Sequence, residues 1–324
     1  MPPLKLTFAA ASYDRMMALR TGDVKPDGFE LDVRPIEHVR EIFDRMGGAA
    51  EFDAAEFSST EYIGRIGRGD RTFVALPVFP SRIFRHSFIF VNAKRIKSPK
   101  DIAGKRIGVG LYTQTAALWI RGLLTHDHGV DLSGVTWVEG AVEKAGSHGK
   151  PSPPPLLKRP NIVINDGERS LDELLDAGEI DGTIGTRVPA CSRHNPDIVR
   201  LFPSFWEVER DYYRRTKIYP IMHLVALRRD VYEKYPQVAR QFYEALVASK
   251  DHAVKMLRVE GAPRYMLPWL QREIEAMDEV LGADPWPYGV EANRPTLEAL
   301  VQYMVEQHYI AKAIPLEELF VGEA

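Results

Sequence analysis

Glu51-Phe52-Asp53-Ala54-Ala55-Glu56-Phe57-Ser58-Ser59-Thr60 is the stretch on which the fold turns. Phe52 to Phe57 predicts a short strand that opens onto a polar loop at Ser58-Ser59-Thr60. Toward the N-terminus, Val39 to Met46 has helical spacing and stops at Gly47-Gly48. Phe29 to Pro35 alternates, with Phe29, Leu31 and Val33 on one face, as a strand does. An amphipathic helix is expected through Met17 and Leu19, after a loop at Ser12–Arg15, and Leu4 to Ala10 reads as a buried strand. Strands and helices in alternation signal an α/β sheet.

The stretch has an echo. Glu179-Ile180-Asp181-Gly182-Thr183 also follows a helical segment and opens a strand that ends in a polar loop. Between the two, Ser98-Pro99-Lys100-Asp101 carries an N-cap serine with proline at N1. Strands are expected over Arg106–Val109 and Val135–Glu139, and helices over Ala116–Leu124 and Leu171–Ala177. Glu143 to Pro160, rich in Gly, Pro, Lys and His, reads as a surface excursion. Ile221 to Arg228 predicts a further strand, followed by helices over Val231–Lys234, Val238–Leu257, Leu267–Val280 and Thr296–Gln307. The expected architecture is a two-lobed α/β clamshell with a ligand cleft between lobes. Residues 1–92 and 217–324 form lobe I, with the C-terminal helical segment packing on it, and 93–216 form lobe II.

Composition narrows the function classes. Among 324 residues, 42 Lys and Arg stand against 45 Asp and Glu, a formal net charge of −3. That balance lacks the basic surface a nucleic-acid binder needs. The single cysteine, Cys191, excludes an internal disulfide and reads as structural. No window approaches the roughly 18 apolar residues of a membrane span, and no signal segment is recognisable at the start. A cytoplasmic protein is therefore expected. The C-terminal helices could offer an apolar face to a homodimer, although a buried helix gives the same pattern.

The densest polar constellation is Phe79-Pro80-Ser81-Arg82-Ile83-Phe84-Arg85-His86-Ser87, flanked by Val78 and by Phe88-Ile89-Phe90. Arg82 and Arg85 offer planar forks suited to carboxylates, and His86 suits proton transfer near neutral pH. A solvated loop before a strand is the plainer alternative. Thr113 and Thr115 precede a helix, where anion binding and ordinary capping share one geometry. Glu56 and Ser58 end a strand, where α/β sheets place ligand groups, and Glu56 serves equally well as a partner for an arginine. His223 lies on an apolar strand, the usual setting of a satisfied core histidine. Trp286-Pro287-Tyr288-Gly289 forms a rigid aromatic loop with Arg294 close behind. His126-x-His128 sits at a helix end, where exposed side chains are expected, and two histidines without a third ligand do not define a metal site. Gly108-Val109-Gly110 lacks a full nucleotide-binding pattern.

These residues carry a resemblance. Tyr13-Asp14-Arg15, Glu51 to Glu56, Pro77 to Ser87, Tyr112-x-x-Thr115-Ala116-x-x-Trp119-Ile120-Arg121-Gly122, Tyr212 to Thr216, Ile218 to His223 and Asp284 to Gly289 occur in order along nearly the whole chain. In this the sequence resembles the 4,5-dihydroxyphthalate decarboxylase family. The resemblance implies a type 2 periplasmic-binding-protein-like fold used as an enzyme scaffold. It also implies non-oxidative decarboxylation of a hydroxylated aromatic (di)carboxylate, 4,5-dihydroxyphthalate going to protocatechuate and carbon dioxide. One departure is Gln307-His308-Tyr309, where Gln-Gly-Leu is expected.

For that chemistry Arg82, Arg85 and Arg121 are expected to hold carboxylates, with Thr113 and Thr115 assisting and Ser58, Ser87, Tyr288 and Arg294 as further substrate contacts. His86 is the expected proton donor, with His223 or Glu56 as base, and Trp119 and Trp286 as walls of the ring site. No organic cofactor is expected, and a divalent metal on Glu56, His86 and His223 is left open. The rival from another class is a solute-binding protein that captures a small aromatic carboxylate for an ABC-type importer. It would use the same arginines without a proton donor, and the absence of a leader weighs against it.

Overall fold

The computed structural model describes residues 4–144 and 153–322. The chain begins β1 (Leu4–Ala10), α1 (Asp14–Thr21), β2 (Phe29–Pro35), α2 (Val39–Ala49), β3 (Ala54–Ser58), α3 (Ser59–Gly67) and β4 (Phe73–Arg82). It continues β5 (Ile89–Asn92), β6 (Arg106–Val109), α4 (Thr115–His126), β7 (Thr136–Glu139), β8 (Ile162–Ile164), α5 (Leu171–Asp176), β9 (Gly182–Ile184), β10 (Ile198–Arg200) and α6 (Phe205–Thr216). It closes with β11 (Ile221–Arg228), α7 (Arg229–Lys234), α8 (Gln237–Leu257), α9 (Leu270–Leu281) and α10 (Arg294–Glu306).

The chain divides into two compact units, Met1–Arg82 with Ile221–Glu298 and Ile314–Ala324, and Ile83–Pro220 with Ala299–Ala313. The first boundary falls at Arg82/Ile83, before residue 92, because β5 pairs with β9 and β10 in the second unit's sheet. Ala299–Ala313, expected with the first lobe, joins the second unit because its side chains bond and stack there: Gln307 and Tyr309 with Arg121, Tyr303 with Trp119.

In the first unit the strand order among the described residues is β2-β1-β3-β11-β4. β1 is parallel to β2 and β3, while β11 runs antiparallel between β3 and β4. The C-terminal ends of β1, β3 and β4 therefore meet the start of β11 along one edge. Phe8 meets Phe242 of α8 edge-on at 5.1 Å, and Phe29 meets the same ring edge-on at 6.1 Å, so that α8 packs against β1 and β2. The second unit's strand order is β10-β5-β9-β6-β7-β8. Ile107, Val109, Ile120, Leu123 and Trp137 pack one of its buried cores.

Three elements depart from what the pattern predicts. Ser58-Ser59-Thr60 is the start of α3, with Ser58 as N-cap accepting the Glu61 N–H at 3.4 Å. β4 runs to Arg82 through Pro77 and Pro80, so Phe79 to Arg82 is strand and not loop. Its ladder to β11 is irregular between Ile221 and Val225, since proline has no N–H to give a ladder. α6 is rich in charged residues, with Tyr212 as its buried residue, and is not among the elements expected above. The excursion expected over residues 143–160 lies partly outside the described residues. No helix among the described residues is long and apolar enough to cross a membrane.

Candidate active site

The sheet edge of the first unit gathers the chemistry. Glu56 on β3 lies opposite Val225 and Ser58 lies opposite His223, so Glu56 and His223 form a diagonal pair on one face. Glu56 is 0 % exposed and fully bonded. Its Oε2 accepts the Ala11 backbone N–H at 3.0 Å, and its Oε1 accepts the Tyr13 hydroxyl at 2.7 Å and His223 Nδ1 at 2.5 Å. Burial works to raise this carboxyl; the His223 bond and charge, the Ala11 N–H and the Tyr13 hydroxyl outweigh it and hold Glu56 below its ordinary value. Burial, reinforced by the Glu56 charge, pushes the Tyr13 phenol up, so it remains a donor. With Nδ1–H directed at a carboxylate, Nε2 of His223 is the nitrogen left for a substrate. Phe43 meets the imidazole edge-on at 4.8 Å and limits its rotation.

The irregular stretch of β4 supplies the surroundings. With the ladder interrupted, the carbonyls of Pro77, Phe79 and Pro80 accept bonds from elsewhere in the unit: the Gly289 N–H at 2.8 Å, the Trp286 indole N–H at 2.8 Å and Arg15 Nε at 2.5 Å. These bonds set Arg15 between two rings, its guanidinium 4.0 Å from the Tyr13 centroid and 4.4 Å from that of Trp286. Arg15 Nη1 is paired with Asp14 at 3.0 Å. Ser81 lies opposite His223 on β4, and Arg82 follows it with Nη1 donating to Pro287 O at 3.1 Å. Tyr288 is buried beside Lys250, its hydroxyl without a hydrogen-bond partner.

Glu56, Ser58, His223, Arg82 and Trp286 thus share the first unit's sheet edge and its flanking loop. Arg294 also belongs to that unit, where it is taken up by Glu291, Glu298 and Glu317. Tyr288 belongs to the first unit too, and the other candidates, Arg85, His86, Ser87, Thr113, Thr115, Trp119 and Arg121, lie in the second. His86 begins a 3-10 turn and packs between Phe202 and Tyr212. The Ser87 N–H donates to Glu209 Oε1 at 3.3 Å. Arg85 is buried over Phe88, and desolvation brings its guanidinium down to about 9 against the opposing charge of Glu209. Thr115 opens α4 while Gln114 holds the N-cap position without a side-chain cap, and Thr113 stands in the preceding loop. Trp119 is core, edge-on to Tyr303 at 5.5 Å. Arg121 is spanned by Gln307 Oε1 at 2.7 Å and by Tyr112 O and Tyr309 Oη at 2.9 Å. Tyr13 and Arg15 were missed among the candidates; the signal for them is their place directly after the C-terminal end of β1, at the start of α1, where parallel strands place ligand groups.

Comparison with solved structures defines the class. The chain is similar to the periplasmic sulfonate-binding protein SsuA of a sulfonate ABC transporter from Methylobacillus flagellatus (TM-score 0.53, 14% identity, 99% of this chain and 92% of that one). It is similar also to the aliphatic sulphonate binding protein SsuA from Escherichia coli (TM-score 0.50, 10% identity, 99% and 93%) and to the desulfurization enzyme DSZB (TM-score 0.50, 14% identity, 99% and 97%). The fold is the type 2 periplasmic-binding-protein-like α/β class that the sequence implies, and it carries both binders and an enzyme. No family model matches the chain.

Sequence relatives are more specific. The chain is 35% identical over 325 residues to 4,5-dihydroxyphthalate decarboxylase of Comamonas testosteroni, covering 99% of this chain and 97% of the relative. It is 36% identical over 219 residues to the protein of that name from Pseudomonas putida, covering 66% and 83%. The chain belongs to the 4,5-dihydroxyphthalate decarboxylase family.

Proposed function

We propose that this chain is a carboxy-lyase that converts 4,5-dihydroxyphthalate to protocatechuate and carbon dioxide, with His223 as the proton donor. Family membership supports the reaction, and one observation carries the assignment of the donor: His223 Nδ1 lies 2.5 Å from the buried carboxylate of Glu56. A carboxylate so placed fixes the tautomer and orientation of the ring and leaves Nε2 for the substrate. In the reaction a ring hydroxyl para to the departing carboxylate pushes electrons toward the carbon that bears it. That carbon takes a proton from His223 Nε2, the bond to the carboxylate breaks, and its electron pair restores the aromatic ring as carbon dioxide leaves. One proton is consumed for each carbon dioxide released. Arg15 and Arg82 hold the retained carboxylate, and Trp286 bounds the ring. Tyr13 remains protonated and keeps Glu56 in place.

The reading moves the donor from His86 to His223, because Glu56 and the sheet edge lie in the first unit with His223. The test is carbon dioxide release on mixing with 4,5-dihydroxyphthalate, with substrate binding measured separately by calorimetry. Wild type turns over; His223→Ala retains binding and loses about 10²–10⁴-fold in kcat, the usual worth of a positioned acid. Binding without product in the wild type would make the chain a solute-binding protein. Near-normal turnover by His223→Ala would remove His223 from the chemistry.

A further inference from the structure

His86 has an environment that the proposed reaction does not use. It is 1 % exposed, and neither ring nitrogen has a hydrogen-bond partner. A buried polar group left in this state is costly unless something outside the protein's own atoms satisfies it. Beside it lie Asp127 and His128, at the end of α4. One ligand atom from each of the three residues lies within 4.8 Å of the others. Phe202 approaches both imidazoles, at 5.4 Å from His86 and 4.9 Å from His128, and Tyr212 closes the other side of His86 at 5.3 Å.

We infer that His86, Asp127 and His128 form a binding site for a divalent transition-metal ion of the zinc class, built wholly from the second unit. Two imidazoles and one carboxylate are a donor set such ions take, and the set is too soft for magnesium or calcium. His126 is not part of the set, being paired with Glu306; Asp127 and His128 are adjacent in the chain, and His86 joins them from a turn 42 positions before His128, which no spacing rule within the segment could reveal. Arg215 grips Asp127 with bonds of 2.8 and 3.1 Å, the kind of outer partner that orients a ligating carboxylate. Glu209 Oε1, 3.7 Å from His86 Nδ1, stands ready as a further oxygen donor. Donor atoms around a tetrahedral ion lie roughly 3.3 Å apart, so the three side chains draw in on binding. His128, with its side chain 21% exposed, is the route of entry. Bound there, the ion would tie the turn after β4 to the end of α4.

The test uses the full chain stripped with a chelator and titrated with Co²⁺ alone, then with Zn²⁺ in competition. The expected result is one equivalent taken up, with the visible bands of a nitrogen- and oxygen-ligated ion that Zn²⁺ abolishes. His86→Ala and His128→Asn each weaken uptake by roughly 100-fold or more, above the range that loss of an outer partner costs. His128 is half-buried, so its variant carries the test if His86→Ala fails to fold. His223→Ala leaves uptake intact. Absence of uptake by the wild type, full uptake by His128→Asn, or loss of uptake in His223→Ala would each overturn the proposal.

Discussion

Glu56 and His223 stand 167 positions apart in the chain and 2.5 Å apart in space. They meet because β11 returns antiparallel into a sheet whose preceding strands are parallel, entering between β3 and β4 at the edge where both end. The pair is at once a piece of the sheet and the centre of the proposed chemistry, so its disturbance has consequences for stability as well as turnover.

The first consequence concerns pH. Glu56 is held below its ordinary value of 4.5 in the folded chain. A depressed carboxyl contributes stability that is present above the unfolded value and is lost as pH falls through the folded one. Thermal unfolding of wild type and Glu56→Gln across pH 4.5 and below it should therefore converge, with the wild-type advantage largest on the neutral side. A difference that stays constant or grows toward acid contradicts the assignment. At neutral pH the same variant loses kcat, since a neutral amide holds the Nδ1–H of His223 less firmly than the carboxylate does.

Tyr13 offers a milder probe of the same carboxylate. Its hydroxyl donates to Glu56 Oε1 at 2.7 Å, and Tyr13→Phe removes that bond while keeping the ring beneath Arg15. Hydrogen bonds to charged groups are worth about 1.5–3 kcal/mol, and the partial exposure of Tyr13 places the loss at the lower end. Urea unfolding should show a lower midpoint with an unchanged slope, and kcat should fall less than in His223→Ala. An unshifted midpoint would mean that the hydroxyl does not support Glu56.

In the second unit, His308 adopts φ 65°, a left-handed conformation that costs an L-residue about 1–2 kcal/mol. This is the position where the family resemblance leads one to expect glycine. Its N–H donates to Val305 O at 3.0 Å and its carbonyl accepts from Leu157 at 2.8 Å, both of which survive loss of the side chain. His308→Gly should raise stability by about 0.5–1 kcal/mol, the strain relieved less the added freedom of the unfolded chain. Calorimetric melting of His308→Gly and His308→Val decides it: the first should melt above the wild type and the second below.

Much of the fold was legible from local pattern. β1, β2 and β11 fall on Leu4–Ala10, Phe29–Pro35 and Ile221–Arg228 as expected: β2 shows an alternating face, while β1 and β11 are short apolar runs of the kind a buried strand leaves in a sequence. β4 was obscured by its two prolines. α3 was obscured because its cap, Ser58, belongs to a polar triplet that reads equally as a loop. The site was legible as residue types but not as a constellation: Arg82, Arg85, His86 and Ser87 are neighbours in sequence, yet Arg82 ends the first unit's sheet and the other three belong to the second unit. Contiguity in the chain concealed a boundary.

By itself the sequence determined the α/β class, the family and the presence of arginine, histidine and aromatic side chains suited to an aromatic carboxylate, since composition, periodicity and kinship are properties of the chain alone. Only the tertiary structure decided which histidine faces a carboxylate. Strand order is set by contacts between distant segments, and the insertion of β11 between β3 and β4 brings His223 to Glu56. The same kind of distant contact sets His86 beside Asp127 and His128, giving that histidine a different set of neighbours and a different proposed role.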